Sequence, residues 1–446
     1  MYAPRAMRDL PTTPSRRARA ALVLTALLPA CPEREPDRDG AAADAAKDRF
    51  DATDSPDATD SPDAASDLLD AAADVAGDGD VADGPLDAVD AAADGPPDAP
   101  ACMSVPWRTA QVSSGGNWGG STAIAVDPRG VAHIVLHRAV YGSYGARELL
   151  YASPGATGAW ELEGITTGTG NDRDDTTDLA FDSAGAPHVV FPGLVDGGPH
   201  PSIHATRADG RWVFTALRGG NTWASLAVDG RDDVHVVSGQ TEINYATRAA
   251  TGTWSHEAQR SARCVSVAAA ADGAVHVSYA TSPASPMTSE LFHATRSPSG
   301  AWAFERVDAL GFRVEFSCET MVGLGPAGAV HIVYTTATGL RHALRSPDGA
   351  WRTGAAPAAG RSPSMAVDDR GGVHLAFGEP LTHAYLPPGG AWRTDLIDAR
   401  PGGVPGADTS IAVDRTGAVH IASYDESART SPGYPVYYTT GRVCDP

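Results

Sequence analysis

The sequence predicts an all-β fold, a seven-bladed β-propeller over residues 102–446, and three observations predict it. A short motif returns seven times at spacings of 41 to 55 residues, a period that belongs to propellers and solenoids. Each copy is followed by the alternation and turn signals of further short strands. The seventh copy lacks its last strand, and a matching segment stands at the opposite end of the domain.

The motif reads TAIAVDPRGVAHIV in the first copy and TSIAVDRTGAVHIA in the last, with His133, His188, His235, His276, His331, His374 and His420 as anchors. Apolar residues alternate on both sides of a D-x-x-G turn, as they do in two antiparallel strands joined by a tight hairpin. The turn aspartate is present in five copies, Asp127, Asp182, Asp229, Asp368 and Asp414, where its carboxylate can accept turn amides. A third strand is marked by Tyr151, His204, Tyr245, His293, His342, His383 and Tyr438. A fourth opens near Trp160, Trp212, Trp254, Trp302, Trp351 and Trp392. Four short strands per repeat make a propeller blade.

The seventh copy ends at YYTTGRVCDP, whereas the domain begins with CMSVPWRTAQV, whose Trp107 matches the fourth-strand tryptophans. The first strand is therefore expected to complete the last blade, which leaves the ring without a free end. Of the five cysteines, Cys102 precedes that strand and Cys444 follows the third strand of blade seven, so a Cys102–Cys444 disulfide is expected across the join. Cys264 and Cys318 sit before successive innermost strands and form a second candidate pair.

Ahead of the domain the residues change character. Residues 1–30 carry a basic cluster, Arg16, Arg17 and Arg19, and then the apolar run AALVLTALLPA, the pattern of a signal peptide. Residues 31–101 are rich in Asp, Ala, Pro and Gly and account for most of the formal charge of −21. Such a segment cannot bury enough apolar surface to offset its ordering entropy, and is expected to be a disordered, extended tether. Without it the domain is mildly acidic and shows no basic stripe, which excludes nucleic acid as a partner.

Histidine and tryptophan counts frame the candidate chemistry. Eleven of the 14 histidines fall on the repeat, leaving His137, His200 and His256, so the histidines are read as packing residues. No HExxH or paired CxxC occurs, and no metal or cofactor is expected. Two of the 9 tryptophans, Trp118 and Trp223, have no repeat counterpart and lie in connections leading into innermost strands. Each would either stack on a sugar ring or plug the channel mouth. Asp172, Asp174, Asp175 and Asp178 form an acidic loop that would either hold calcium or stand solvated. Arg263 and Arg361 occupy equal places before the inner strands of blades four and six, with Arg313 and Glu315 nearby, and complete the candidate ligand-binding set.

Two resemblances add to this. LPAC, from Leu28 to Cys31, resembles the bacterial lipobox, which implies cleavage before Cys31, acylation of its thiol and attachment to a bacterial membrane through lipid. SPDGAW, with Asp348, Gly349 and Trp351, resembles the Asp-box (BNR) turn of sialidase-like propellers, although the spacing from Gly to Trp is shorter than in that box. The whole chain looks like the propeller lipoproteins with Asp/Ala/Pro-rich tethers of soil and predatory bacteria. These imply an exported, monomeric protein on the outer membrane, facing the periplasm or the surface. The function expected is a binding module for a glycan or protein, with the chain read as more a binder than an enzyme. A sialidase-like hydrolase or polysaccharide lyase on the same scaffold is the alternative, and no arginine triad or nucleophile can be assigned for it.

Overall fold

The computed structural model describes residues 104–117, 121–139, 147–169, 176–193, 201–220, 223–239, 242–260, 262–281, 288–311, 319–357, 361–378, 380–398, 405–425 and 434–444. They form seven antiparallel sheets of four strands each. The innermost strands are Ala123–Val126, Asp178–Phe181, Trp223–Val228, Arg263–Ala269, Thr320–Leu324, Arg361–Val367 and Pro405–Val413, in blades one to seven. Each packs beside the next, and the last beside the first, so the ring is closed. No helix of the described residues is long and apolar enough to cross a membrane.

Closure occurs as the repeats predict. Val105–Asn117 pairs antiparallel with Tyr434–Arg442, with Val105 opposite Arg442 and Ala110 opposite Tyr438, and becomes the fourth strand of blade seven. Trp107 lies so close over Gly441 that a Cβ there would sit 2.6 Å from the indole, which is why this strand carries glycine. Cys444 and Cys264 are both disulfide-bonded. Their expected partners, Cys102 and Cys318, lie outside the described residues, as does Cys31.

The turn aspartates do what their position suggests. Asp127 Oδ1 accepts the amides of Arg129 and Val131, both at 2.9 Å, and Asp229, Asp368 and Asp414 each hold two turn amides in the same way. The last turn residue has positive φ, as in Gly130 (84°) and Gly417 (79°). Blade three puts Asp232 there (64°), a residue that tolerates the left-handed region better than most.

Between blades, one side-chain unit recurs seven times. The strand-two histidine bonds the strand-three aromatic through Nδ1: His133 to Tyr151 (2.8 Å), His235 to Tyr245 (2.7 Å) and His420 to Tyr438 (2.7 Å). In the other four blades the partner is a second imidazole, as in His188–His204 (3.0 Å), His276–His293 (3.0 Å), His331–His342 (3.1 Å) and His374–His383 (3.1 Å). Where the turn aspartate is present, its carboxylate lies 3.3 to 3.5 Å from the histidine Nε2. The strand-four tryptophan of the following blade then packs on the strand-three ring: Trp212 on Tyr151, Trp254 on His204, Trp302 on Tyr245, Trp351 on His293, Trp392 on His342, Trp107 on His383 and Trp160 on Tyr438. The N-terminal strand thus supplies one of seven equivalent contacts. Apolar residues of both facing sheets fill the seams around these units.

Candidate functional site

Each innermost strand pairs on one edge with strand two and turns its other edge to the axial channel, where its amides have no sheet partner. The sequence satisfies them from the preceding blade. Ser225 Oγ accepts the amide of Val267 (3.2 Å), Ser266 that of Val322 (3.2 Å), Ser364 that of Ile411 (3.0 Å) and Ser410 that of Ile124 (3.0 Å). Asp178 fills the same position in blade two and accepts the amide of Leu226 (2.9 Å) and the hydroxyl of Ser225 (3.0 Å). Two residues earlier in the strand a second row does the same work. Ser121 accepts from Thr177 N (2.8 Å), Thr176 from Ala224 N (2.6 Å) and Asp408 from Thr122 N (2.7 Å).

That second row is Ser121, Thr176, Trp223, Cys264, Glu319, Ser362 and Asp408 in blades one to seven, at the end of the channel where the inner strands begin. It brings two carboxylates into one lumen. Burial pushes both Glu319 and Asp408 up to about 7, against which Thr335 and the Thr122 amide act only partly, and the charge of Glu319 raises Asp408 further. The two belong to blades five and seven, with blade six between them, and the charge of Glu319 is felt at Asp408. Thr335 Oγ1 donates to Glu319 Oε2 at 3.2 Å, and Thr335 N to the Glu319 carbonyl at 3.0 Å. Carboxyl groups that titrate near neutrality are suited to take and give protons.

The opposite end of the channel holds a cleft of about 610 Å³ among the hairpins of blades seven, one, two and three. Its carboxylates, among them Asp127, Asp229 and Asp414, are engaged by turn amides and histidines. Its carboxylates are thus already engaged.

The residues singled out from sequence fare unequally. Trp223 does not stand exposed: it is 9% accessible and packs with Val237, Ile243 and Val265, so it plugs the wall and offers no stacking face. Asp178 is no loop ligand, because its carboxylate is taken up by the stitch to blade three, although burial raises its pKa. Among the described residues no group of three His, Cys, Asp or Glu side chains is placed to hold a metal ion. Arg263 and Arg361 do begin equivalent strands, each with a register shift before Ser266 and Ser364. Trp118, Asp172, Asp174, Asp175, Arg313 and Glu315 lie outside the described residues. Of the histidines outside the repeat, His137 is buried and bonds Thr177 Oγ1 at 2.8 Å. Glu319 and Asp408 were not singled out. The signal for them was there, in a repeat column where two members are carboxylates and three are Ser or Thr.

No protein-family model matches the chain, and no curated protein does. Solved structures do share its shape. A protein of unknown function from Dyadobacter fermentans is 13% identical, with a TM-score of 0.50, over 77% of this chain and 100% of that one. A catalytically inactive virginiamycin B lyase from Staphylococcus aureus, with quinupristin, is 10% identical with a TM-score of 0.50, over 75% of this chain and 98% of that one. An ulvan lyase, of a new family of polysaccharide lyases, is bound to -[GlcA(1-4)Rha3S]-; it is 12% identical with a TM-score of 0.50, over 74% of this chain and 95% of that one. What is shared is the propeller fold. The expectation that the chain is more a binder than an enzyme is corrected by these structures, since the same scaffold carries lyases.

Proposed function

We propose that this protein is an exported, lipid-anchored propeller enzyme that cleaves a glycosidic bond of a polysaccharide by acid–base chemistry at the mouth where the inner strands begin. The reading rests on one observation, the pair Glu319 and Asp408 in a common lumen, both raised to about 7. Near neutral pH, mutual repulsion favours one of the two holding a proton while the other is ionised. One group can then remove a proton and the other protonate a leaving oxygen, which both eliminative and hydrolytic cleavage need. The lipobox at Leu28–Cys31 and the acidic segment that follows it support export and lipid tethering of the protein, on the side of the membrane where polymeric substrates lie.

The test is turnover of a panel of neutral, uronate-containing and sulfated polysaccharides by the purified protein, read as new reducing ends and as the ultraviolet absorbance of an unsaturated sugar. Cleavage that falls about 10²- to 10⁴-fold in Glu319→Gln is expected. The absorbance separates elimination from hydrolysis. Absence of turnover on every polymer, or a variant as active as the parent, defeats the proposal.

A further inference from the structure

In the upper row of stitches a side chain at the start of one inner strand takes the amide of the second residue of the next. Ser121 takes Thr177, Thr176 takes Ala224, and Asp408 takes Thr122. The residues that offer or would offer this amide are Thr122, Thr177, Ala224, Val265, Thr320, Pro363 and Thr409 in blades one to seven. By this register Glu319 of blade five faces Pro363 of blade six, and proline has no N–H. The lower row fails at the same seam, because its blade-five member is Met321, which has no oxygen to accept the Met365 amide. Every other seam has at least one such stitch among the described residues. The seam between blades five and six is held by apolar contact, with Met321, Met365 and Val367 packed together and Gly323 close against Val367.

We propose that Pro363 is a positioning residue: by withholding a backbone donor it leaves the Glu319 carboxylate to the lumen, where its counterpart Asp408 is tied down by Thr122. The proposal deepens the acid–base reading of Glu319 and rests on it for its functional meaning. It assigns different duties to the two carboxylates. Asp408 is anchored by a charge-assisted bond to backbone, so its position is fixed. Glu319 is held by one long hydroxyl contact from Thr335 and is the group able to move toward a substrate. The unstitched seam is then part of the site, since a carboxylate that stitched it to blade six would be tied to backbone as Asp408 is. Among the described residues Glu319 meets the Thr335 hydroxyl, and Asp408 meets the Thr122 amide and the charge of Glu319.

The experiment is Pro363→Thr in the full chain, since threonine stands at this position in blades one, two, five and seven. Thr122→Pro is the reciprocal change, which removes the amide from Asp408. Carboxyl-carbon NMR titration of the free protein reads both groups without any substrate. Pro363→Thr should lower the Glu319 midpoint by about one pH unit, and Thr122→Pro should raise that of Asp408 by a similar amount. In turnover the Pro363→Thr variant should lose kcat about tenfold at neutral pH, with KM little changed and the acid limb moved to lower pH. A Glu319 midpoint unchanged in folded Pro363→Thr overturns the proposal. Should that variant fail to fold, an unchanged Asp408 midpoint in Thr122→Pro does so instead. Midpoints that move as expected in a protein that cleaves no polysaccharide leave the positioning role standing and remove the catalytic reading.

Discussion

Two imidazoles bonded nitrogen to nitrogen cannot both be protonated, because that removes the acceptor and sets two charges face to face. Burial enforces this here. It holds His204 down to about 3 and His276, His331, His342 and His383 down to about 4, well below the usual 6.5. For a group depressed in this way the folded state binds fewer protons than the unfolded one. The associated stability is complete above pH 6.5 and is lost as pH falls toward 4. Tyrosine fills the same place in blades one, three and seven, so replacing His204, His342 and His383 together by Tyr should preserve the fold and move the acid-unfolding midpoint to lower pH, as followed by circular dichroism. Glu319 has the opposite sign. Its pKa is raised from 4.5 to about 7, so the stability tied to it is present below 4.5 and lost as pH rises through 7. Glu319→Gln should therefore melt higher than the parent at pH 8 and at the same temperature at pH 4, a gain that accompanies lost activity. Equal melting at pH 8 would argue against the buried setting of this carboxyl.

Where inner strands meet the channel, the Ser and Asp stitches replace the sheet partner that a closed ring of radial sheets cannot supply. Native-state hydrogen exchange should show the amides of Ile124, Leu226, Val267, Val322 and Ile411 more protected than that of Met365, whose preceding blade offers methionine. Ser410→Ala should cost about 1 kcal/mol in denaturant unfolding, the net worth of one such bond. Strand number, hairpins and the tryptophan positions were all legible in the sequence, because each blade solves the same packing problem and repeats its answer. The candidate site was not, because it consists of departures from that answer. Glu319, Asp408 and Pro363 each sit in a column where the other blades carry something blander, and reading the repeats for likeness hides the members that differ. Of the two readings open for Trp223, a stacking face or a plug, its burial fits the plug, for it fills a place that Ser, Thr or Cys leaves smaller in other blades.

At the scale of the ring, the seventh seam depends on a strand that comes from the far end of the domain. Trp107→Ala removes the packing on His383 and opens a gap above Gly441, and should cost about 3 kcal/mol in chemical denaturation. An equivalent loss from Trp212→Ala would show that the joining blade is no weaker than one made from continuous chain; a far larger loss would mark it as the ring's least secure part. The same arrangement fixes an order of events during synthesis. The segment around Trp107 leaves the ribosome before the rest of the propeller and must wait, with its amides and its indole unmatched, until Tyr434–Arg442 has been made. During that interval its natural docking place does not exist, so a nascent chain is exposed to pairing with the wrong strand or with a neighbour until the third strand of blade seven has been made.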